Sequence, residues 1–309
     1  MNARLSYCKG GSFLEQTKRV IALGFFDGVH IGHGALLAKA KALAATYGAT
    51  AAAFSFLQPP KEVIFGRPIP LLSTPEEREA LMRSLYRMDE VIFAPFDEKM
   101  QHTSWQEFIA MLGRDYGAVH LVAGHDFRFG YKNEGDGKKL TAECRRLGIG
   151  CDIIPAVKLD DIIVSSTHIR SLLESGEIES AVRFLGHPHL ITGTVCHGRG
   201  MGHALGTPTV NFALTPGHTV PKNGVYAAYA TLPDGRTYPA LTNIGTRPSF
   251  GGGEKLIETH LIGFDGVLYG EPLSLRLFAY LREEQCFSSK EGLQAQIAMD
   301  LHRAKQLFS

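Results

Sequence analysis

The sequence predicts an α/β domain built on a parallel sheet, followed by a compact antiparallel, barrel-like domain and a closing helix. Three observations carry this. Residues 19 to about 187 alternate strand-like and helix-like segments, which requires right-handed crossovers and helices on both faces of the sheet. Beyond residue 188 the pattern changes to short strand-like runs broken by glycine and proline turns. At 309 residues with 44% hydrophobic content, the chain is long enough to bury two cores.

RVIALG (19–24) reads as a buried strand, GALLAKAKALAATYG (34–48) as a helix ending at Gly48, and ATAAAFSF (49–56) as the next strand. TPEEREALMRSLYRM (74–88) opens with Thr74 as N-cap and Pro75 at the first helical position, and the strand EVIFAPF (90–96) follows. A helix over SWQEFIAMLGRDY, a strand at VHLVAG, a helix near KKLTAECRRLG and a strand at CDIIPAV complete the alternation. HIRSLLESGEIESAVRFLGHP (168–188) forms two short helices stopped by Gly186 and Pro188. The runs LITGTVCHG, TVNFAL, GVYAAYATLPDGRTYPALTNIG, KLIETHLIGF and LSLRLFAYLR are strands, with Asp234-Gly235 as a hairpin turn. A helix over SSKEGLQAQIAMDLHRAKQLF (288–308) closes the chain. Two unlike domains, 1–187 and 188–309, are expected to meet near residue 188.

Composition removes several classes of function. The 32 basic and 31 acidic residues nearly cancel and form no long block of one sign, so the electrostatic footprint of a nucleic-acid binder is missing. A bound phosphate must then be held by a local site. Five scattered cysteines without a C-x-x-C spacing argue against a disulfide framework and a zinc site, and fit a reducing cytoplasm. The amino terminus lacks the apolar core of a signal peptide, and no apolar run spans a bilayer, so neither secretion nor membrane insertion is expected. An oligomer is allowed and none is assigned.

GFFDGVHIGH (24–33) lies where the first strand ends and a helix begins, a place where backbone amides and the helix dipole favour an anion. Its glycines let a phosphate approach the backbone. His30 and His33, three apart, fall on one side of a helical turn, where two donors can grip a phosphoryl oxygen. The alternative is a glycine-rich connection with two incidental surface histidines. VSSTHIRSLL (164–173) offers Ser165, Ser166 and Thr167 hydroxyls and the forked cation of Arg170 at another helix start, or simply a helix cap. In GHDFRFG (124–130), Phe127 and Phe129 are two apart, as core aromatics on a strand often are.

In the second half, GTPTVN (206–211) puts Thr209 and Asn211 on one side of an extended segment, a hydroxyl and an amide oxygen of the kind Mg²⁺ takes beside substrate phosphates, or ordinary polar residues after a turn. Gly198, Gly200, Gly202 and Gly206 give the preceding loop the freedom to close over a nucleotide.

H-x-G-H after a first strand, here His30 to His33, resembles the nucleotidyltransferase superfamily, and Gly24 to His33 as a whole is similar to the first module of bacterial bifunctional riboflavin kinase/FAD synthetases. SSTHIR matches that superfamily's second signature. GRGMGHALGTPTVN, NGVYAA, TNIGTRPSFGGG, ETHLIGFDGVLYG and LREEQCF resemble riboflavin kinase segments in the right order. The resemblance implies a Rossmann-like, parallel-sheet nucleotidyltransferase domain and an antiparallel β-barrel riboflavin kinase domain with a C-terminal helix. It implies that ATP phosphorylates riboflavin to FMN, and that a second ATP adenylylates FMN to FAD with release of pyrophosphate.

By the same resemblance Gly24, Phe26, Asp27, Gly32, Ser166, Thr167, Gly198, Gly202 and Thr209 bind nucleotide. His30, His33 and Arg170 act on phosphates, Thr209 and Asn211 hold Mg²⁺, Glu258 is the base, and Phe127 and Arg282 face the flavin. FLQPPKEV (56–63) departs from the usual F-D-P-H-P-R-E-V at Leu57 and Pro59, and Gly34 stands where glutamine is usual. The alternatives to two full activities are a riboflavin kinase with a weakened adenylyltransferase and a non-catalytic flavin binder.

Overall fold

A computed structural model describes residues 17–196, 208–215, 217–247 and 254–308. Gly198, Gly202 and the rest of the glycine-rich loop lie outside the described residues, as does the end of TNIGTRPSFGGG. Contacts divide the chain into two compact units, one holding residues up to Ile69 with Pro75–Ser165, the other Pro70–Thr74 with Ser166–Ser309.

The first unit is a five-stranded parallel sheet of β1 (Arg19–Leu23), β2 (Thr50–Phe56), β3 (Glu90–Ala94), β4 (Ala118–Gly124) and β5 (Gly150–Ile154), in the order β3-β2-β1-β4-β5. RVIAL and TAAAFSF are buried along almost their whole length because helices cover both faces, which is why they read as unbroken apolar runs. Helix α1 (Ile31–Tyr47) packs on β1 and β2; α2 (Pro60–Phe65) is short, and α3 (Pro75–Tyr86) lies against β3 and α1. After the short α4 (Glu98–His102), α5 (Trp105–Arg114) and α6 (Gly137–Leu147) pack on β4 and β5. Phe108, Ile109, Leu112 and Leu140 of these last two helices meet Ile21, Leu23, Phe54 and Leu121 in one core.

Helix α1 begins at Ile31 rather than at Gly34, since His30 supplies its cap. The short helices α2 and α4, with six and five residues, show no sequence period because they complete fewer than two turns. A two-residue-per-strand hairpin, β6 (Lys158–Leu159) and β7 (Ile162–Ile163), was likewise beyond a periodic pattern; Asp160 and Asp161 make its turn at positive φ.

The second unit opens with α7 (Ser166–Ser175) and α8 (Ile178–Leu185), which pack on each other. Six strands then close an antiparallel barrel: β8 (His189–Cys196), β9 (Val210–Leu214), β10 (Gly224–Thr231), β11 (Thr237–Arg247), β12 (Glu254–Leu261) and β13 (Pro272–Arg282), in the order β10-β11-β12-β9-β8-β13. Asp234-Gly235 makes the expected hairpin, with Thr231 paired to Thr237. Alternate residues Thr242, Ile244, Ile257 and Thr259 are fully buried, and the two threonine hydroxyls satisfy each other at 3.1 Å. Helix α9 (Lys290–Leu307) covers Val225, Ala227, Leu241, Ala279 and Leu281 through Leu301 and Ala304, with Phe308 beyond its end. Among the described residues, no helix is long and apolar enough to cross a membrane.

Candidate functional site

The strand order reverses between β1 and β4, and ligands of such sheets bind beyond the carboxyl ends of the strands at that point. The connection from β1 to α1 is held in an uncommon backbone shape. Phe26, Gly28 and Val29 have φ of 57°, 76° and 42°. For a bulky and a β-branched residue this conformation is strained, and strain of this kind persists only where the surroundings enforce it. Phe26 is fully buried, with its ring edge-on to His33 at 5.2 Å. A Cβ on Gly24 would sit 3.1 Å from the Phe26 ring, so the glycine makes room for the aromatic that supports the histidine.

His30 is the N-cap of α1: its Nδ1 accepts the His33 backbone N–H at 3.2 Å. That bond needs a lone pair on Nδ1 and so places the ring proton on Nε2. The His30 and His33 rings stack, with centroids 3.5 Å apart and 14° between planes. Two imidazolium ions would repel at this distance. His33 is accordingly held well below the ordinary histidine pKa, by burial first, then by His30 and by the Arg78 cation. A neutral imidazole offers one N–H to a phosphoryl oxygen. Asp27 is buried in the same loop.

A Cβ on Gly32 would lie 3.1 Å from the His30 ring and 3.8 Å from Val164 Cβ. The residue that precedes Ser165 therefore runs beside the first turn of α1. Ser166 and Thr167 follow at the start of α7 and Arg170 lies one turn further on, in the helix that packs with α8.

Tyr86 occupies the space beside Gly34: an added Cβ there would come 2.2 Å from its hydroxyl oxygen. Gly34→Ala is expected to destabilise the first unit, because overpacking costs about 1–3 kcal/mol against a gain of about 1 kcal/mol in helix propensity. In a Tyr86→Ser background the same change is expected to stabilise. Denaturant melts of the four chains check both signs.

Phe127 lines a cavity of about 330 Å³ together with Phe56, Ile64, Phe96, Phe129 and Tyr131. Phe127 and Phe129 stack with centroids 5.4 Å apart, and Phe56 meets Phe96 edge-on at 5.1 Å. Leu57 and Pro59 serve the backbone at its edge: Leu57 N–H donates to Ala94 O at 3.1 Å, and Pro59 O accepts from Glu62 N–H at 2.9 Å at the start of α2.

One residue of this unit escaped the sequence reading. Arg78 is fully buried on the inner face of α3 with Leu81 and Met82, three and four residues on. A charged residue at an apolar position of an amphipathic helix was the available signal.

In the barrel, register places Asn211 opposite Glu258, and Glu258 opposite Asn243, so the three share one face. Asn211 is 7% exposed. Thr209 lies two residues before Asn211 on the extended segment leading into β9. Asn243 was not foreseen, since only the pairing of distant strands reveals it. The same row continues from Asn243 to Val225 and from Val225 to Arg282.

Arg282 is turned toward α9. Its Nε donates to both Asp300 oxygens at 3.0 and 2.9 Å, its Nη2 to Oδ2 at 2.8 Å, and its Nη1 to Glu283 O at 2.8 Å. Gln296 Nε2 completes the buried carboxylate at 2.9 Å.

A phosphate-favouring helix start at the switch point of a parallel sheet, in one chain with a barrel that pairs an asparagine with a glutamate and carries a threonine two residues before that asparagine, fits a nucleotide-dependent transferase with two sites. Residues 13–168 match the family model for FAD synthetase and residues 185–308 that for riboflavin kinase. The bifunctional riboflavin kinase/FMN adenylyltransferase of Pseudomonas fluorescens is 35% identical over 93% of this chain and 92% of its own length. That of Bacillus subtilis is 33% identical over 96% and 94%. The chain belongs to the bifunctional riboflavin kinase/FMN adenylyltransferase family. A crystal structure from Streptococcus pneumoniae, described as a macrolide-efflux protein, matches the fold with a TM-score of 0.84 over 94% of each chain at 27% identity.

Proposed function

We propose that this chain makes FMN from riboflavin and ATP in its carboxyl-terminal domain, and FAD and pyrophosphate from FMN and ATP in its amino-terminal domain. One observation carries the reading: a single chain holds both the stacked His30–His33 pair capping α1 at the sheet's switch point and the Asn211–Glu258 pair on a closed barrel. The adenylyltransferase domain is taken as 1–187 and the kinase domain as 188–309.

In the kinase step, Glu258 takes the proton of the riboflavin hydroxyl as its oxygen attacks the γ-phosphorus of ATP, and ADP leaves. Thr209 and Asn211 are hard oxygen donors that fit Mg²⁺. Mg²⁺ commonly takes its remaining ligands from substrate phosphates and water. Mg²⁺ held by these two residues would neutralise charge on the transferring phosphoryl group. Gly198 and Gly202, which lie outside the described residues, are assigned to the nucleotide by the sequence.

In the adenylyl step, a phosphate oxygen of FMN attacks the α-phosphorus of the second ATP. The amides of the first turn of α1, with His30 and His33, receive the developing charge, while Ser166, Thr167 and Arg170 hold the leaving pyrophosphate. Gly24, Phe26, Asp27 and Gly32 shape the nucleotide loop. The flavin ring lies in the aromatic cavity against Phe127, while the backbone groups of Leu57 and Pro59 are spent on Ala94, Arg78 and Glu62. In the kinase domain Arg282 serves the flavin side by holding its strand end. The protein works in the cytoplasm, apart from nucleic acid and membranes, and no oligomer is assigned.

The test is chromatographic: riboflavin with excess ATP and Mg²⁺, FMN and FAD followed separately. FMN is expected to rise and then pass into FAD. His33→Ala is expected to slow only the second step, by about 10²-fold, the cost of removing one preorganised donor. A wild-type chain that stops at FMN, even when supplied FMN and ATP, returns the function to a riboflavin kinase alone.

A further inference from the structure

Arg78 is buried without a carboxylate in its first circle of bonds. Its Nη1 donates to Phe25 O at 2.7 Å and to Ser55 Oγ at 2.8 Å, and its Nη2 to Phe56 O at 3.0 Å and Leu57 O at 3.2 Å. Ser55 Oγ donates in turn to the same Phe25 O at 2.9 Å. The guanidinium carbon stands 4.4 Å from the centre of the Phe25 ring and 5.0 Å from that of Phe93. Its Nε is buried and unpartnered.

Taking an arginine out of water to meet only neutral oxygens is costly, and burial pushes its pKa down to about 10 while Asp27 and Glu76 push it up. It stays cationic at neutral pH. An aliphatic side chain would fill this core position at lower cost, so stability alone does not account for the arginine. What only a planar fork can do is bind two segments at once. Phe25 belongs to the nucleotide loop, directly before the left-handed Phe26 whose ring supports His33. Phe56 ends β2 and walls the aromatic cavity, and Leu57 follows it directly.

We propose that Arg78 is a positioning residue for adenylyl transfer: its fork ties the nucleotide loop after β1 to the flavin-side wall at the end of β2, fixing the spacing of the two substrates. This rests on the reading of the first unit as an FMN adenylyltransferase. A shift of about 1 Å between reacting groups costs about 10²-fold in rate.

The experiment uses full-length Arg78→Lys, Arg78→Met and the milder Ser55→Ala, assayed with FMN, ATP and Mg²⁺ well below each melting temperature, with riboflavin phosphorylation by the same chains as control. Arg78→Lys is expected to lose about 10²-fold in adenylylation kcat at unchanged kinase rate, because an ammonium cannot span four acceptors. Ser55→Ala is expected to lose less. In Arg78→Met the acid limb of the adenylylation pH profile should move to higher pH, since the cation that helps keep His33 neutral is gone; in Arg78→Lys it should stay. Folded variants with wild-type kcat and an unmoved acid limb overturn the proposal while leaving the adenylyltransferase reading intact. A wild-type chain that converts no FMN overturns both.

Discussion

Glu258→Gln is expected to lower the rate of FMN formation about 10²–10⁴-fold while conversion of supplied FMN to FAD continues at the wild-type rate. Glutamine keeps the size and one acceptor oxygen of the side chain but cannot take a proton. Its neighbours are Asn211 and Asn243, whose amides can still pair with it, so the row across β9, β12 and β11 should survive. The affinity for ATP should therefore change little and the loss should fall on kcat. Riboflavin consumption measured beside FMN adenylylation in the same preparation reads both. Equal loss in the two reactions would point to a folding defect, and no loss in the first would remove Glu258 from the chemistry.

The contrast between Glu258 and Arg78 shows what a sequence makes legible. The parallel order of β1 to β5 follows from strands alternating with helices, and the position of GFFDGVHIGH at the end of β1 follows from the apolar run before it and the helical spacing after it. The stacking of His30 on His33 does not, because three-residue spacing allows both a capped and an uncapped turn. Only the cap, with Nδ1 of His30 on the His33 amide, brings the rings to 3.5 Å. Arg78 reaches Phe25 across 53 residues and Leu57 across 21. No local pattern encodes such a contact. The barrel was visible as a class, yet its row from Asn211 to Arg282 depends on the register of five strands, which the lengths of the runs leave open.

Asp300→Ala is expected to destabilise the second unit by about 3 kcal/mol, the low end for breaking a buried ion pair by removing one partner. The Asp300 side chain is 6% exposed and that of Arg282 17%, so deleting the carboxylate leaves a cation largely shielded from water with Glu283 O as its remaining bond. The consequence reaches past the pair. Arg282 ends β13 and Asp300 lies in the middle of α9, whose Leu301 and Ala304 cover Val225, Leu241 and Ala279 on the barrel's outer face. Loosening α9 uncovers that apolar face, whereas Arg303 Nη1, bonded to Leu281 O at 2.7 Å, holds the helix one turn further on. The expected fall in melting temperature of this unit is about 10 °C. Arg282→Ala should cost less than Asp300→Ala, because the carboxylate it strands keeps the Gln296 bond. The double variant should be more stable than the sum of the two predicts, since it leaves no unpaired charge. Additive losses in that cycle would mean that Arg282 and Asp300 act apart, with Arg282 then available to face the flavin directly.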